Sequence, residues 1–124
     1  MDIIRTHREL KVYRLALFNA MRIYTLTKSF PRDESFSLTD QIRRSSRSVC
    51  SNIAEAFRRR KYPKSFSSKL NESEAEAAET QNWLDFSMEC KYITQETHQS
   101  INKEYENILG MLVTMQMQPE KWGI

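Results

Sequence analysis

The segment Leu38-Thr39-Asp40-Gln41-Ile42-Arg43-Arg44-Ser45-Ser46-Arg47-Ser48-Val49-Cys50-Ser51-Asn52-Ile53-Ala54-Glu55-Ala56 decides the fold. Within it Leu38, Ile42, Ser46, Val49, Ile53 and Ala56 recur at steps of three or four residues, the period of one helical face. No glycine or proline interrupts the run. Ser37 stands where an N-terminal cap belongs, with Asp40 at the third helical position. The pattern predicts a helix over about residues 38–62. Its small side chains (Ser45, Ser46, Ser48, Ser51, Asn52 and Ala54) let a neighbouring helix approach closely.

The same period extends to both sides. Upstream, Val12, Leu15, Asn19, Ile23 and Leu26 form one stripe of a helix over about 9–28, and Leu10, Tyr13, Leu17, Met21 and Tyr24 form a second. That helix ends before Phe30-Pro31, because a proline drives the preceding residue away from helical angles. Downstream, Pro63 suits a first helical turn, and Phe66, Leu70, Ser73, Ala77, Thr80, Leu84 and Ser87 mark a helix over about 64–93, widened by Trp83, Met88 and Tyr92. Ile101, Tyr105, Ile108, Leu112 and Met115 mark the last, over about 95–117, ending before Pro119. Two glycines and three prolines are too few for the hairpins of a sheet protein of 124 residues. Four long helices joined by short loops predict an all-α, up-and-down antiparallel four-helix bundle, one domain over 1–124. The wide apolar arc of the first helix exceeds what one bundle buries, and predicts a closed cyclic homo-oligomer.

The chemistry-bearing residues are sparse. Carboxylate-bridged metal bundles need Glu-x-x-His pairs, but Ile4 and Gln95 stand three residues before the two histidines, His7 and His98. Nucleophilic catalysis needs a positioned base, and phosphate loops need glycines that this chain lacks. Glu72, Glu76 and Glu79 share a face that reads as solvated rather than as an acid/base pair. No catalytic residue, metal ligand or cofactor site is assigned. Cys50 and Cys90 are too few for a disulfide framework and are expected to be reduced, buried thiols. Charges at the N-terminus, Met1-Asp2-Ile3-Ile4-Arg5-Thr6-His7-Arg8, argue against a signal peptide, and no apolar run approaches about 18 residues. The expectation is a cytoplasmic protein that does not span a membrane.

The net charge of +3 conceals two blocks. Residues 41–69 carry nine Lys/Arg against Glu55 alone, a net +8, whereas residues 70–110 carry nine acids against Lys91 and Lys103, a net −7. Arg43, Arg44 and Arg47 lie near the start of the second helix, and Arg58, Arg59, Arg60, Lys61 and Lys64 cluster at its junction with the third. These eight residues are the candidate nucleic-acid-binding set, reading RNA or DNA backbone rather than sequence. A solvated basic face is the competing reading. Cations in a last turn complement the helix dipole by about 0.3–1 kcal/mol, which accounts for Arg58 to Lys61 but not for arginines in the early turns. In those early turns Arg43, Arg44 and Arg47 are expected to be solvent-exposed. A second function class makes the blocks protein contacts: the basic stretch of one subunit meets the acidic stretch of another, or the surface serves as an adaptor docking a partner such as a reverse transcriptase.

Phe30-Pro31, Glu34, Leu38, Gln41-Ile42-Arg43-Arg44 and Ser51-Asn52-Ile53-Ala54-Glu55 together form a distinctive pattern. It resembles that of the bacterial four-helix-bundle family encoded in intervening sequences of 23S ribosomal RNA genes, to which the accessory variability protein of diversity-generating retroelements is similar. The likeness continues through Lys69-Leu70, Glu76-Ala77-Ala78-Glu79-Thr80-Gln81, Trp83-Leu84 and the closing Pro119-x-Lys121-Trp122. The resemblance implies a homopentamer with a basic surface for nucleic acid and no enzymatic activity. Many relatives carry proline at the position of Cys50 and glycine at that of Ala56, so the second helix is expected to be straighter here.

Overall fold

Helices α1 (Lys11–Thr27), α2 (Leu38–Arg58), α3 (Pro63–Glu89) and α4 (Gln95–Met117) follow one another in the computed structural model, which describes residues 3–123. The extreme termini of the 1–124 domain, including Met1 and Asp2 of the N-terminal reading, lie outside the described residues. Short 3-10 turns at His7–Glu9, Arg32–Glu34 and Pro119–Lys121 complete the secondary structure, and no strand occurs among the described residues. The protein is an all-α four-helix bundle. Sequential neighbours pack together, most extensively α2 against α3, while α1 and α4 meet most sparsely.

The expected stripes of α2, α3 and α4 are the buried ones. In α1 the buried face is instead Val12, Ala16, Asn19, Ala20, Ile23 and Thr27. Leu15 and Leu26 are only half-buried, and of the second stripe Leu17 and Met21 stand exposed. The alanines let α1 lie close to the bundle, and this turns its larger apolar side chains outward.

The α2–α3 seam is built from small, hydrogen-bonded residues. Ser73 Oγ donates to the Val49 carbonyl at 2.8 Å, and the buried hydroxyls of Ser45 and Thr80 lie 2.8 Å apart. Each polar group keeps a partner, so close approach carries little desolvation cost. Fully buried Ala56 and Ala77 add no bulk to the seam. α2 continues unbroken through Cys50 and Ala56.

Helix ends differ from the periodic reading for local reasons. Thr6 and Glu9 form a capping box around the His7–Glu9 turn, and Leu10 is extended, so α1 begins only at Lys11. α2 stops at Arg58, short of 62, because Tyr62 precedes Pro63 and is extended (φ −114°, ψ 97°). Pro63 takes the first position of α3. α3 stops at Glu89 rather than 93: Lys91 adopts φ 64°, and Tyr92 N–H returns to the Ser87 carbonyl at 2.9 Å, closing a Schellman-type end. Cys90 therefore falls past the helix and is exposed, which corrects the expectation of two buried thiols. Cys50 is buried and free, and burial pushes its thiol up to about 11.

Ser37 does not cap α2 with its side chain. The cap comes from Glu34, whose Oε1 accepts from Ser37 Oγ at 2.6 Å and from Leu38 N–H at 3.3 Å. Its Oε2 accepts from the Tyr92 hydroxyl at 2.9 Å, and the Tyr92 ring packs on Phe30 at 5.3 Å between centroids. One carboxylate thus ties the α1–α2 connection to the far end of α3. The Ser37 hydroxyl, and next the Tyr92 hydroxyl, hold Glu34 below the usual carboxylate range, while Tyr92 is pushed up to about 12.

Two predictions follow from this packing. Ala77→Leu overfills the α2–α3 seam and should cost about 1–3 kcal/mol in denaturant unfolding, with Ala78→Leu at the adjacent exposed position as the control near zero. Glu34→Ala should lower the melting temperature at pH 7 by about 3–6 °C, the equivalent of one lost helix cap. A depressed carboxyl stabilises above its unfolded value and loses that contribution as pH falls through its folded value, so the gap between wild type and variant should close in acid. A gap that persists unchanged at the lowest pH where the bundle still folds would remove Glu34 from this role.

Candidate nucleic-acid interface

Arg43 and Arg47, one turn apart on α2, lean toward the C-terminal end of α1. Arg43 is half-buried rather than solvent-facing: Nε donates to Thr27 Oγ1 at 2.8 Å, and Nη2 to the Tyr24 carbonyl at 3.3 Å. Its guanidinium carbon sits 4.8 Å from the Tyr24 ring centroid, Arg47 lies 5.9 Å from the same ring, and Lys28 Nζ approaches it to 4.9 Å. Three cations gather around one aromatic ring, a favourable but small attraction for each. Among the described residues none of the three forms a salt bridge. With no acid bonded to them among the described residues, they leave this side of the bundle positively charged.

Arg44 turns the other way. Its guanidinium pairs with Glu76 at 3.3 Å and with Glu79, which also accepts from Trp83 Nε1 at 3.2 Å. Lys69 Nζ likewise bridges Glu55 at 2.8 Å and Glu72 at 3.0 Å. The basic and acidic blocks therefore meet inside one chain, across the α2–α3 seam, because those two helices are adjacent. Arg44 leaves the open cationic set. Glu72, Glu76 and Glu79, read from sequence as a solvated face, are ion-pair partners.

The second basic cluster sits at the other end of α2. Arg47 and Arg58 are separated by about 16 Å along the helix at about 1.5 Å per residue. Arg58, Arg59, Lys61 and Lys64 are exposed. Arg60 is half-buried: its guanidinium stacks on Phe57 at 3.8 Å and donates to the Phe57 carbonyl at 2.8 Å, closing the helix end. The eight predicted residues thus divide into an α1-facing pair, an acid-paired arginine, a helix-closing arginine and four exposed cations at the junction.

Sequence reasoning missed Lys28 and Arg32. Lys28 follows α1 four residues after Tyr24, a spacing that puts both on one face, and that periodic signal was available. Arg32 lies in the α1–α2 connection and lines a groove with Thr27, Lys28, Ser35, Thr39 and Arg43. Ser35, Thr39 and Arg43 also line its continuation along α2 beside Arg47, where Asp40 is the one acid on either wall. No group of three or more His, Cys, Asp or Glu side chains suited to a metal ion occurs among the described residues. No helix among them is long and apolar enough to cross a membrane.

Comparison with known proteins places this geometry. No curated protein matches the chain. A solved structure of a protein of unknown function from the S23 ribosomal protein family of Bacteroides thetaiotaomicron superposes with a TM-score of 0.77 at 34% identity, over 86% of this chain and 95% of that one. The family model for 23S rRNA-intervening sequence proteins matches residues 8–114, which takes in nearly all of the four helices, the Glu34 cap and both basic clusters. The chain belongs to the 23S rRNA-intervening sequence protein family.

Proposed function

We propose that this protein is a non-enzymatic, cytoplasmic, oligomeric bundle that binds the phosphate backbone of RNA or DNA through the basic side of α2, with no cofactor. The observation that carries the reading is the convergence of Lys28, Arg43 and Arg47 on Tyr24 with no carboxylate among the described residues bonded to any of them. Elsewhere the chain pairs cations with acids, as Arg44 on α2 and Lys69 on α3 demonstrate. Cations left together and unpaired cost self-repulsion, which a polyanion relieves. The exposed Arg58, Arg59, Lys61 and Lys64 extend the surface toward the α2–α3 junction.

Self-assembly forms the other half of the reading. Leu17, Phe18 and Met21 are exposed on α1, Val113 and Met117 are exposed on α4, and an apolar groove lined by Leu15, Met111 and Trp122 runs between the two helices. A monomer gains nothing by presenting these side chains to water, and burial against further copies would recover that apolar area. The family likeness makes a homopentamer the expected ring. The competing adaptor reading assigns the same apolar face to a protein partner such as a reverse transcriptase, with no direct nucleic-acid contact.

Light scattering should therefore give a mass several times the 14.7 kDa monomer, and Met21→Glu should return it to one copy at micromolar concentration. A monomeric wild type would free the face for the adaptor role and refute self-assembly. For the basic surface, Lys28→Gln with Arg47→Gln spares the internal bonds of Arg43. That double variant should weaken RNA or DNA binding about tenfold, with melting unchanged. The slope of log K against log salt should become shallower by about 0.9 per duplex phosphate contact removed. Arg44→Gln should change affinity by no more than about twofold, since that charge is already paired. Wild-type protein that binds no nucleic acid even at low salt refutes this reading.

A further inference from the structure

We propose that the groove where α1 ends and α2 begins is a nucleotide subsite for single-stranded nucleic acid, seating one backbone phosphate among Lys28, Arg43 and Arg47 with the neighbouring base stacked on Phe36. The subsite rests on the polyanion reading above and narrows it from backbone in general to an unpaired strand.

Two independent features point to a ligand here. The first is Thr39. Only two buried side-chain polar atoms among the described residues lack a hydrogen-bond partner, the Tyr105 hydroxyl deep in the core and Thr39 Oγ1. Thr39 is 8% exposed and lines the groove on both of its stretches, so its hydroxyl is a donor without an acceptor, set among cations. Turned outward about χ1, that hydroxyl meets a phosphate oxygen, which supplies the acceptor and at the same time the negative charge that the three cations lack. Arg43 is positioned for it. Nε and Nη2 are fixed on Thr27 and Tyr24, which orients the guanidinium, while Nη1 meets no acceptor among the described residues. Asp40 opposes an anion but stands alone against Lys28, Arg32, Arg43 and Arg47 along the two walls, with Arg44 already paired.

The second feature is Phe36. At 96% exposure it is the most exposed large apolar side chain among the described residues, and the bundle draws no packing from it. It follows Ser35, which lines both stretches of the groove, and adjacent Cα atoms are about 3.8 Å apart, so its backbone stands at the groove's rim with no packing to hold the ring away from it. A phenyl ring beside a phosphate site is a stacking platform: aromatic–base stacking contributes roughly 5- to 150-fold in affinity per base and tolerates any sequence. In a duplex the base faces are already stacked on one another. An unpaired strand can place a base on Phe36 without breaking pairs.

The full-length chain is titrated against one short single-stranded RNA and its duplex, read by fluorescence anisotropy. Wild type should bind the single strand more tightly. Phe36→Ala should weaken single-strand binding at least fivefold, leave duplex binding within about twofold, and Phe36→Trp should restore it. Thr39→Val, which keeps the side-chain shape, should melt at or above the wild-type temperature and weaken the single strand about threefold or more. If wild type binds RNA and Phe36→Ala does not alter it, the subsite is wrong while the polyanion reading stands. If wild type binds neither form, both fall. A Phe36→Ala variant that changes oligomeric mass makes Phe36 a subunit contact, and polyglutamate binding as tightly as RNA through Thr39 makes the groove a dock for an acidic protein segment. Either result overturns the proposal.

Discussion

The close approach of α2 and α3 is the constraint on which the rest of the molecule depends. Ser45, Ala56, Ser73, Ala77 and Thr80 are all buried. Large side chains at these positions would separate the helices, and unsatisfied hydroxyls would penalise their burial. The Ser73–Val49 and Ser45–Thr80 bonds remove that penalty. With the backbones near each other, long charged side chains can span the seam, so Arg44 reaches Glu76 and Lys69 reaches Glu55 while also pairing with Glu72 on its own helix. Exposed ion pairs of this kind stabilise by no more than about 1 kcal/mol each. Their larger consequence is electrostatic: they pair Arg44 and Lys69 with acids on the α3 side of α2 and leave the cations on its α1 side without such partners among the described residues.

That other side is shaped by α1, whose packing is the reverse of the α2–α3 seam. Ala16 and Ala20 face inward, while Leu17, Phe18 and Met21 face out. Arg43 fastens the end of α1 by donating to the Tyr24 carbonyl, one of the backbone acceptors that a helix C-terminus leaves unfilled. A guanidinium used in this way is a structural bond and a fixed positive charge at once. Arg47 and Lys28 carry no such bond and are free to respond to a ligand.

Most of the fold was legible because burial follows helical period. The stripes of α2, α3 and α4 read from spacing are the residues that pack, down to Ser73, Thr80 and Ser87. Period fails where a long-range contact decides. Nothing local says that Glu34 rather than Ser37 caps α2, since the choice depends on Tyr92, 58 residues away. The end of α3 at Glu89 is a local left-handed turn without the usual sequence signal, because its residue is Lys91 and not a glycine. The error over Cys90 is that same boundary error carried into burial. For the candidate site, residue type located the charge but not its direction. Arg43, Arg44 and Arg47 are equivalent in sequence, yet the rotation of about 100° per residue sends Arg44 to α3 and its two companions to α1.

The same distinction bears on what family membership can say about function. Much of the pattern that carries the resemblance has a packing explanation in this chain. Phe30 stacks on Tyr92, Glu34 caps α2, Leu38, Ile42 and Ile53 are core, Arg44 and Glu55 are ion-paired, and Asn52 bonds back to Ser48. A pattern made of such residues specifies the bundle and is consistent with many surfaces laid upon it. The side chains that give the groove its chemistry lie mostly outside that pattern. Lys28, Arg32, Phe36, Thr39 and Arg47 bring the charge, the exposed ring and the unpaired hydroxyl, and Arg43 alone belongs to both sets. Chains that share the bundle while differing at those five positions would keep the Glu34 cap and the α2–α3 ion pairs yet present a different surface where α1 meets α2. In this chain the two sides of α2 divide accordingly: the α3 side carries the ion pairs that hold two helices together, and the α1 side carries the cations of the groove.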